Sequence, residues 1–470
     1  MSHQEKAVDK LSGLKVAALY MDTGTGKTRA ALELGINRLA VGKVDCLLWL
    51  CPVSVKQAIA KEIDKHTLNV SYEMLQPEEI KDWDSDIFIA GIESTSQSDR
   101  INFRLYELVQ KKKCFIIVDE SSLIKNPQAK RTQNIWRLGE QADYKLILNG
   151  TPLSNGEEDL FAQWYFLDQR ILGYTSYYSF AANHLEIEPE TGRVLKAFNK
   201  ELLSKKIAPY TYQIKKSECL DLPERTYSTR YYNMAKKQEI IYQSTMEDLL
   251  LELTYSEFES YSLFNLFTAL QKVVSGLTEH SRKIFDKPKN NPRIKLLLDI
   301  IEDIPDEKII IWCKYKHEIN SIVDVLSEKF GSDQVAEFWG ELSEKQRNNE
   351  LESFENEARF LVANKECGAF GLNLQFCSYA IYYSNNFTWA TRYQSEDRIY
   401  RAGQENNVHI IDIVCNNTID ERIQYSLMVK EQMANSFRKN IDKFKDKKDL
   451  ERWLNNAEKV SRKECISSST

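Results

Sequence analysis

Met21 to Thr28, reading MDTGTGKT, lies between an apolar run, Val16 to Tyr20, and an alanine- and leucine-rich helical pattern. A strand, a glycine turn and a helix in that order make a loop suited to phosphate. Gly24 and Gly26 let the backbone turn tightly with its amides inward, and the helix N-terminus adds its own unpaired donors. Lys27 would reach the β- and γ-phosphates, and Thr28 would ligate magnesium. Asp22, Thr23, Thr25 and Arg29 would complete the cradle. Met21 stands where the general pattern has its first glycine, so the loop is a trimmed form. A second candidate is Asp119-Glu120, directly after the apolar run Phe115 to Val118. Carboxylates at the carboxyl end of a central strand sit where open α/β sheets bind ligand. Asp119 would hold magnesium through water, and Glu120 would orient and deprotonate an attacking water.

Both groups need a sheet to position them. CLLWLC (Cys46 to Cys51) is apolar throughout, as a strand buried on both faces must be, and Pro52 to Val55 lead into a helix ending near His66. Ile87 to Ala90 and Leu146 to Leu148 read the same way, the latter running into Asn149-Gly150-Thr151-Pro152. Strands alternating with helices predict a doubly wound α/β domain. His3 and Gln4 fall in a short helix ahead of the first strand, where a glutamine by itself carries no signal.

The order GTGKT, VDESSLIKN, LNGTPLSN resembles the Swi/Snf-type ATPases of helicase superfamily two, nucleic-acid motors made of two RecA-like lobes. The second half extends the resemblance. WGELSEKQRNNELESF, with Gly340, Arg347 and Phe354, is followed by CGAFGLNL (Cys367 to Leu374) and QSEDRIYRAGQ (Gln394 to Gln404), similar to the family's motifs V and VI. Arg398 and Arg401, three residues apart, are expected on one helix face, from which both guanidinium groups could reach a γ-phosphate. The resemblance implies that Gln4 reads adenine and that Gly371 and Gln394 belong to the nucleotide site. It further implies that Pro52, Ser54, Glu93, Ser94, Thr151 and Asn373 face the nucleic-acid backbone. Departures are informative: Ser122 stands where the family commonly has a histidine linking the ATP site to the LNGTPLSN coupling motif, and YYSNNFTW (Tyr382 to Trp389) differs from the stretch of eukaryotic remodellers. The chain looks nearer compact bacterial and phage members.

The expected organisation is a first lobe over 1–156, a helical insertion over 157–212, a linker over 213–231, a second insertion over 232–290, a second lobe over 291–425 and a helical tail over 426–470. The first insertion is rich in aromatics (Phe161, Trp164, Phe166, Phe180), which at helical spacing are read as core rather than as base-stacking platforms. Around the basic stretch Arg438 to Lys448 the apolar Phe437, Ile441 and Phe444 share a face, which favours a packing helix over a DNA-binding patch. Lys215 and Lys216 read equally as phosphate contacts or as a solvated turn.

Composition sets outer bounds. With 470 residues, 42% of them hydrophobic, and a formal charge of −6, the chain is globular and lacks a global basic field. Any nucleic-acid contact must therefore come from a local groove. Nine cysteines without a CxxC pair read as reduced thiols of a cytoplasmic protein rather than as a disulfide framework or zinc site. No apolar run approaches a membrane span, and MSHQEKAVDK has no secretory core. The resulting expectation is a monomeric ATP hydrolase, using magnesium, that translocates on double-stranded DNA and is targeted by a separate protein. A strand-separating DNA or RNA helicase, and a nucleotide-gated clamp or adaptor with weak ATPase, remain open alternatives.

Overall fold

The computed structural model describes residues 1–76, 83–150, 157–188, 194–255, 260–278, 280–365 and 372–429. Two compact units divide the chain, Met1–Asp221 and Leu222–Thr470. The first holds β1 (Val16–Met21), β2 (Cys46–Cys51), β3 (Tyr72–Met74), β4 (Ile87–Gly91), β5 (Cys114–Val118) and β6 (Tyr144–Asn149), a hairpin of β7 (Leu185–Ile187) and β8 (Val194–Ala197), and β9 (Thr211–Ile214). Apart from the hairpin these form one parallel sheet in the order β3-β4-β2-β5-β6-β1-β9. In β2, Cys46, Leu48 and Leu50 join the core on one face, while Leu47, Trp49 and Cys51 join that on the other. The two-residue period of a strand thus divides one apolar run between two helical layers.

Most of the aromatics of 157–212 are core. Phe161, Trp164, Phe166 and Phe180 are buried against the same sheet face as Ile116 and Val118. Trp164 Nε1 donates to Tyr20 Oη at 2.9 Å, which ties the helix Leu160–Leu172 to β1. Of the aromatic residues around them, Tyr178 is strongly exposed.

The second unit holds β10 (Arg225–Tyr232), β11 (Ile309–Cys313), β12 (Val335–Phe338), β13 (Phe360–Asn364), β14 (Tyr379–Tyr382) and β15 (Val408–Cys415). They form a parallel sheet in the order β10-β15-β14-β11-β13-β12. β11 divides as β2 does: Ile309, Ile311 and Cys313 face one core, Ile310 and Trp312 the other. Tyr242 and Met246 from the helix Lys236–Tyr255, with Leu266, Phe267 and Leu270 from the helix Ser260–Ser275, pack onto the first of these faces. The span expected to link the lobes, 213–231, carries parts of two edge strands, the end of β9 and most of β10. No helix among the described residues is long and apolar enough to cross a membrane. The stretch around Phe437, Ile441 and Phe444 lies outside the described residues.

Candidate nucleotide site and the arginine turn

The chain after β1 turns through Gly24 and Gly26, at φ of 79° and 87°, a left-handed backbone that glycine adopts without strain. Gly26 caps the helix Lys27–Ala40, whose first turn carries no acidic residue. A β-carbon at Gly26 would lie 1.8 Å from Gln4 Nε2, so glycine is required there for space as well. Thr25 is buried, and its hydroxyl donates to the Asp22 carbonyl at 2.7 Å. Two side chains of the helix Ser2–Leu11 brace the loop from outside: the His3 ring, Nε2 2.8 Å from Thr25 O, and Gln4 Nε2, which donates to the same carbonyl at 3.2 Å. The bracing by His3 was not read from the sequence, because its partner is a main-chain carbonyl 22 residues away. Asp22 directs its carboxylate at the Lys216 amide, 2.8 Å away, and so shapes the loop from the side of β9. Lys216 itself is buried and Lys215 exposed.

The acidic pair enters from β5, two strands from β1 across β6. Asp119 donates its amide to Leu50 O at 2.7 Å, and its carboxylate accepts the Glu120 amide at 2.9 Å. Glu120 takes φ 54° and ψ 56°, a left-handed conformation uncommon for a residue with a side chain. Its carboxylate accepts from the Ser122 hydroxyl at 2.9 Å. Burial pushes the Asp119 carboxyl up to about 6, against the pull of the nearby Lys27 ammonium, while the Glu120 charge adds to the rise. The third strand end also meets the loop: a β-carbon at Gly150, which follows β6, would stand 3.4 Å from Lys27 Nζ and 3.2 Å from Thr23 Cγ2. The ends of β1, β5 and β6 therefore converge on Lys27, whose ammonium donates to Met21 O at 2.7 Å.

Ser121 connects this group to its surroundings. Fully buried, it donates to Gln163 Oε1 at 2.6 Å and receives a long contact, 3.5 Å, from Asn149 Nδ2. The hydroxyl contact from the acidic motif to the end of β6 thus runs through Ser121, while the Ser122 hydroxyl bonds Glu120.

These residues fit a nucleotide triphosphate with magnesium. The Thr23 hydroxyl is buried and has no hydrogen-bond partner among the described residues, at a loop whose two glycines and acid-free helix start suit an anion. Thr28 and Asp119 offer a hydroxyl and a carboxylate, hard oxygen donors of the kind magnesium takes beside phosphate and water.

The titration of Asp119 has a consequence for stability. A carboxyl at about 6 in the fold, against an ordinary value of 3.8, prefers to be protonated when folded. Its burial costs nothing below both values, and the cost grows as pH rises from the lower to the upper. Asp119→Asn removes that cost and is expected to stabilise the nucleotide-free protein at pH 8 by on the order of 1–3 kcal/mol, an advantage that vanishes near pH 4. Hydrogen exchange over 46–51 and 114–118, compared between variant and wild type at each pH, checks it; an asparagine variant no better protected than wild type at pH 8 contradicts it.

In the second unit Arg398 and Arg401 lie in a turn, which corrects the expectation of a helix face. The helix Trp389–Glu396 stops before them. Beyond it two i,i+3 pairs, Arg398 N to Ser395 O and Ile399 N to Glu396 O, lie beside a single i,i+4 bond, Tyr400 N to Glu396 O, and the Arg398 carbonyl is taken by the Leu374 amide at 3.1 Å. Both guanidinium groups nevertheless converge, on Leu372 O at 3.4 Å and 3.3 Å, and Arg401 also donates to Asn373 Oδ1 at 2.5 Å. Arg398 Nε donates to the Gln394 carbonyl, so Gln394 contributes its main chain to the turn. Gly371 and Thr151 lie outside the described residues.

Residues 3–279 match the SNF2-related domain, and residues 292–403 the helicase conserved C-terminal domain. The chain belongs to the SNF2-related family. Among curated proteins it is 25% identical over 319 residues to an uncharacterized ATP-dependent helicase, MG018, of Mycoplasma genitalium, covering 67% of this chain and 30% of that protein. It is 24% identical over 340 residues to the putative ATP-dependent helicase/translocase YwqA of Bacillus subtilis, covering 68% and 35% respectively. The chain thus spans about a third of the length of these relatives. Among solved structures, the Sulfolobus solfataricus SWI2/SNF2 ATPase core in complex with dsDNA shares 22% identity over 97% of both chains, at a TM-score of 0.44.

Of the backbone-facing positions that the SNF2-related resemblance implies, Ser54 is exposed, Ser94 half-buried and Pro52 buried. Glu93 accepts the Val53 amide at 3.0 Å and so joins the turn after β2 to the one after β4. Gly91 permits this approach, since a β-carbon there would fall 2.4 Å from Val53 Cγ2. Asn373 is exposed and bonded to Arg401.

Proposed function

We propose that this chain is an ATPase driven by duplex DNA that moves along it without separating the strands. The observation that carries the proposal is the convergence of three strand ends on Lys27, with Asp119 held beside its ammonium and Glu120 beside Asp119. Membership of the SNF2-related family, and the helicase/translocase naming of the Bacillus relative, support the nucleic-acid half of the reading.

In this reading Gly24, Thr25 and Gly26 turn their amides to the phosphates while Lys27 bonds the β- and γ-oxygens. Gln4, already against the loop, reads the adenine edge. Thr28 and Asp119 would hold magnesium, which would supply positive charge against that of the phosphates. Glu120 takes the proton of the attacking water, and Ser122 fixes the carboxylate that does so. Arg398 and Arg401 would neutralise charge that builds on the transferred phosphoryl group. Ser54 and Ser94 in the first unit and Asn373 in the second would each contact phosphate, so binding should depend steeply on salt and little on sequence.

The test is ATP turnover without nucleic acid, with duplex DNA, with single-stranded DNA and with RNA, run beside triplex displacement and strand unwinding. Stimulation by duplex DNA together with displacement and no unwinding is the expected result. Unwinding would move the protein to the strand-separating class, and preferential stimulation by RNA would change its substrate. Turnover indifferent to every nucleic acid would overturn the motor and favour a nucleotide-gated clamp.

A further inference from the structure

Arg225 is the first residue of β10 and lies just beyond the point, Asp221–Leu222, where the chain passes from one compact unit to the other. The start of β10 is fastened to the loop before β15: Glu224 N donates to Asn407 Oδ1 at 3.1 Å, and Val408 N to Glu224 O at 2.9 Å. From there the Arg225 side chain reaches the arginine turn at two points. Its Nη1 bonds Glu396 Oε2 at 3.2 Å, and its guanidinium carbon lies 4.5 Å from the centroid of the Tyr400 ring. Glu396 is the last residue of its helix, and its carbonyl accepts the Ile399 and Tyr400 amides. Arg225 therefore grips both ends of a five-residue turn that has Arg398 in its middle and Arg401 next along the chain.

The grip has reason to be firm. Glu396 is 1% exposed and receives three donors from two elements: Arg225, Tyr227 Oη at 2.7 Å, and Arg392 Nε at 2.6 Å. Charge-assisted bonds at buried carboxylates are short and directional, and a planar guanidinium can also stack on an aromatic ring. Burial works against the Arg225 charge, but Tyr227 and the carboxylates of Glu396 and Asp397 outweigh it and hold the guanidinium above its ordinary range. A lysine in its place would keep the charge and lose the planar contact.

We propose that Arg225 is a positioning residue that sets Arg398 and Arg401 through Glu396 and Tyr400, so that the segment joining the two units bears directly on the arginine turn. This rests on the reading of Arg398 and Arg401 given above. Arg225 has no role in holding nucleotide and acts on turnover only through the turn.

A double-mutant cycle on the full chain tests this, with ATP turnover on duplex DNA measured for Arg225→Ala, Arg225→Lys, Arg401→Ala and the alanine pair. Misplacing a group that must meet the transition state costs rate, so Arg225→Ala is expected to lower kcat by about 10–100-fold with KM for ATP within about twofold. Relative to Arg401→Ala alone, the double variant should lose less than the factor that Arg225→Ala costs by itself, because the part of the effect that passes through Arg401 is already gone and only the part through Arg398 remains. A merely structural role would lower thermal stability and make the two losses multiply, and either multiplication or an unchanged kcat overturns the proposal. Should Arg225→Ala fail to fold, Arg225→Lys paired with Arg401→Ala is read by the same criterion. If Arg401→Ala by itself leaves turnover intact, the functional reading of the turn fails first and takes this proposal with it.

Discussion

Glu120→Gln is expected to lower ATP turnover on duplex DNA by about 10²–10⁴-fold while nucleotide binding is retained, the loss that follows removal of a general base. The substitution keeps shape and removes only the charge. The Ser122 hydroxyl, 2.9 Å from Oε1, can donate to an amide oxygen as it does to a carboxylate, so the side chain keeps its place. The Glu120 amide still donates to Asp119 Oδ1, and the left-handed backbone at φ 54° is no harder for glutamine than for glutamate. Binding has a reason to persist, because the Glu120 charge is one of the influences that raise the Asp119 carboxyl, second to burial among those acting upward. Neutralising it leaves Asp119 more readily ionised beside Lys27. Single-turnover hydrolysis and the affinity for a fluorescent nucleotide, measured on one preparation, separate the two effects. Turnover within tenfold of wild type would show that another group accepts the proton, and Glu120 would lose its assigned role.

The parts of this arrangement that were legible in the sequence share a physical character. β2, β5 and β11 are buried on both faces, so each appears as an unbroken apolar run whose bounds can be read directly. The phosphate loop was legible because left-handed turns at Gly24 and Gly26 and a helix start at Lys27 demand particular residue types. β9 and β10 were not, and their span reads as a linker: TYQI and RTYSTRYY are edge strands with one neighbour each, half exposed, and need no apolar run. The contacts of His3 and Ser121 are illegible in the sequence for another reason. Their partners, the Thr25 carbonyl and Gln163, lie 22 and 42 residues away, and nothing in the local pattern marks a residue that bonds so far along the chain. The arginine turn shows the limit of periodicity itself. DRIYR has helical spacing, but the Leu374 amide claims the Arg398 carbonyl, a tertiary bond that outweighs local preference.

Arg392→Ala is expected to destabilise the second unit by about 3–5 kcal/mol, the cost of breaking a buried ion-pair network by removing its cation. Arg392 is 3% exposed and sits 3.3 Å from the centroid of the Tyr382 ring. Its Nη1 and Nη2 bond the two oxygens of Asp412 at 2.5 Å and 3.0 Å, Nε bonds Glu396 at 2.6 Å, and Nη1 also reaches Asn385 Oδ1 at 2.9 Å. Burial opposes the charge, yet Asp412, Tyr382 and Glu396 together hold the guanidinium well above its ordinary range. The consequences of removal are unequal at the two carboxylates. Glu396 keeps Arg225 and Tyr227, whereas the Asn385 amide at 2.9 Å still bonds Asp412 but supplies no charge. The damage should therefore centre on Asp412 in β15 and on its neighbour β14, with the turn less affected. Because the chain holds two compact units, one melting temperature would mix them, and hydrogen exchange resolved by peptide is the suitable readout. Loss of protection over 379–382 and 408–415, with 46–51 of the first unit unchanged, is the expected pattern. Replacing Arg392 by methionine together with Asp412 by leucine should recover much of the protection, since it removes the carboxylate that depends most on Arg392 and leaves Glu396 with Arg225 and Tyr227. Equal protection in Arg392→Ala and wild type would mean that water reaches Asp412 and satisfies it, and the network would then contribute to geometry alone.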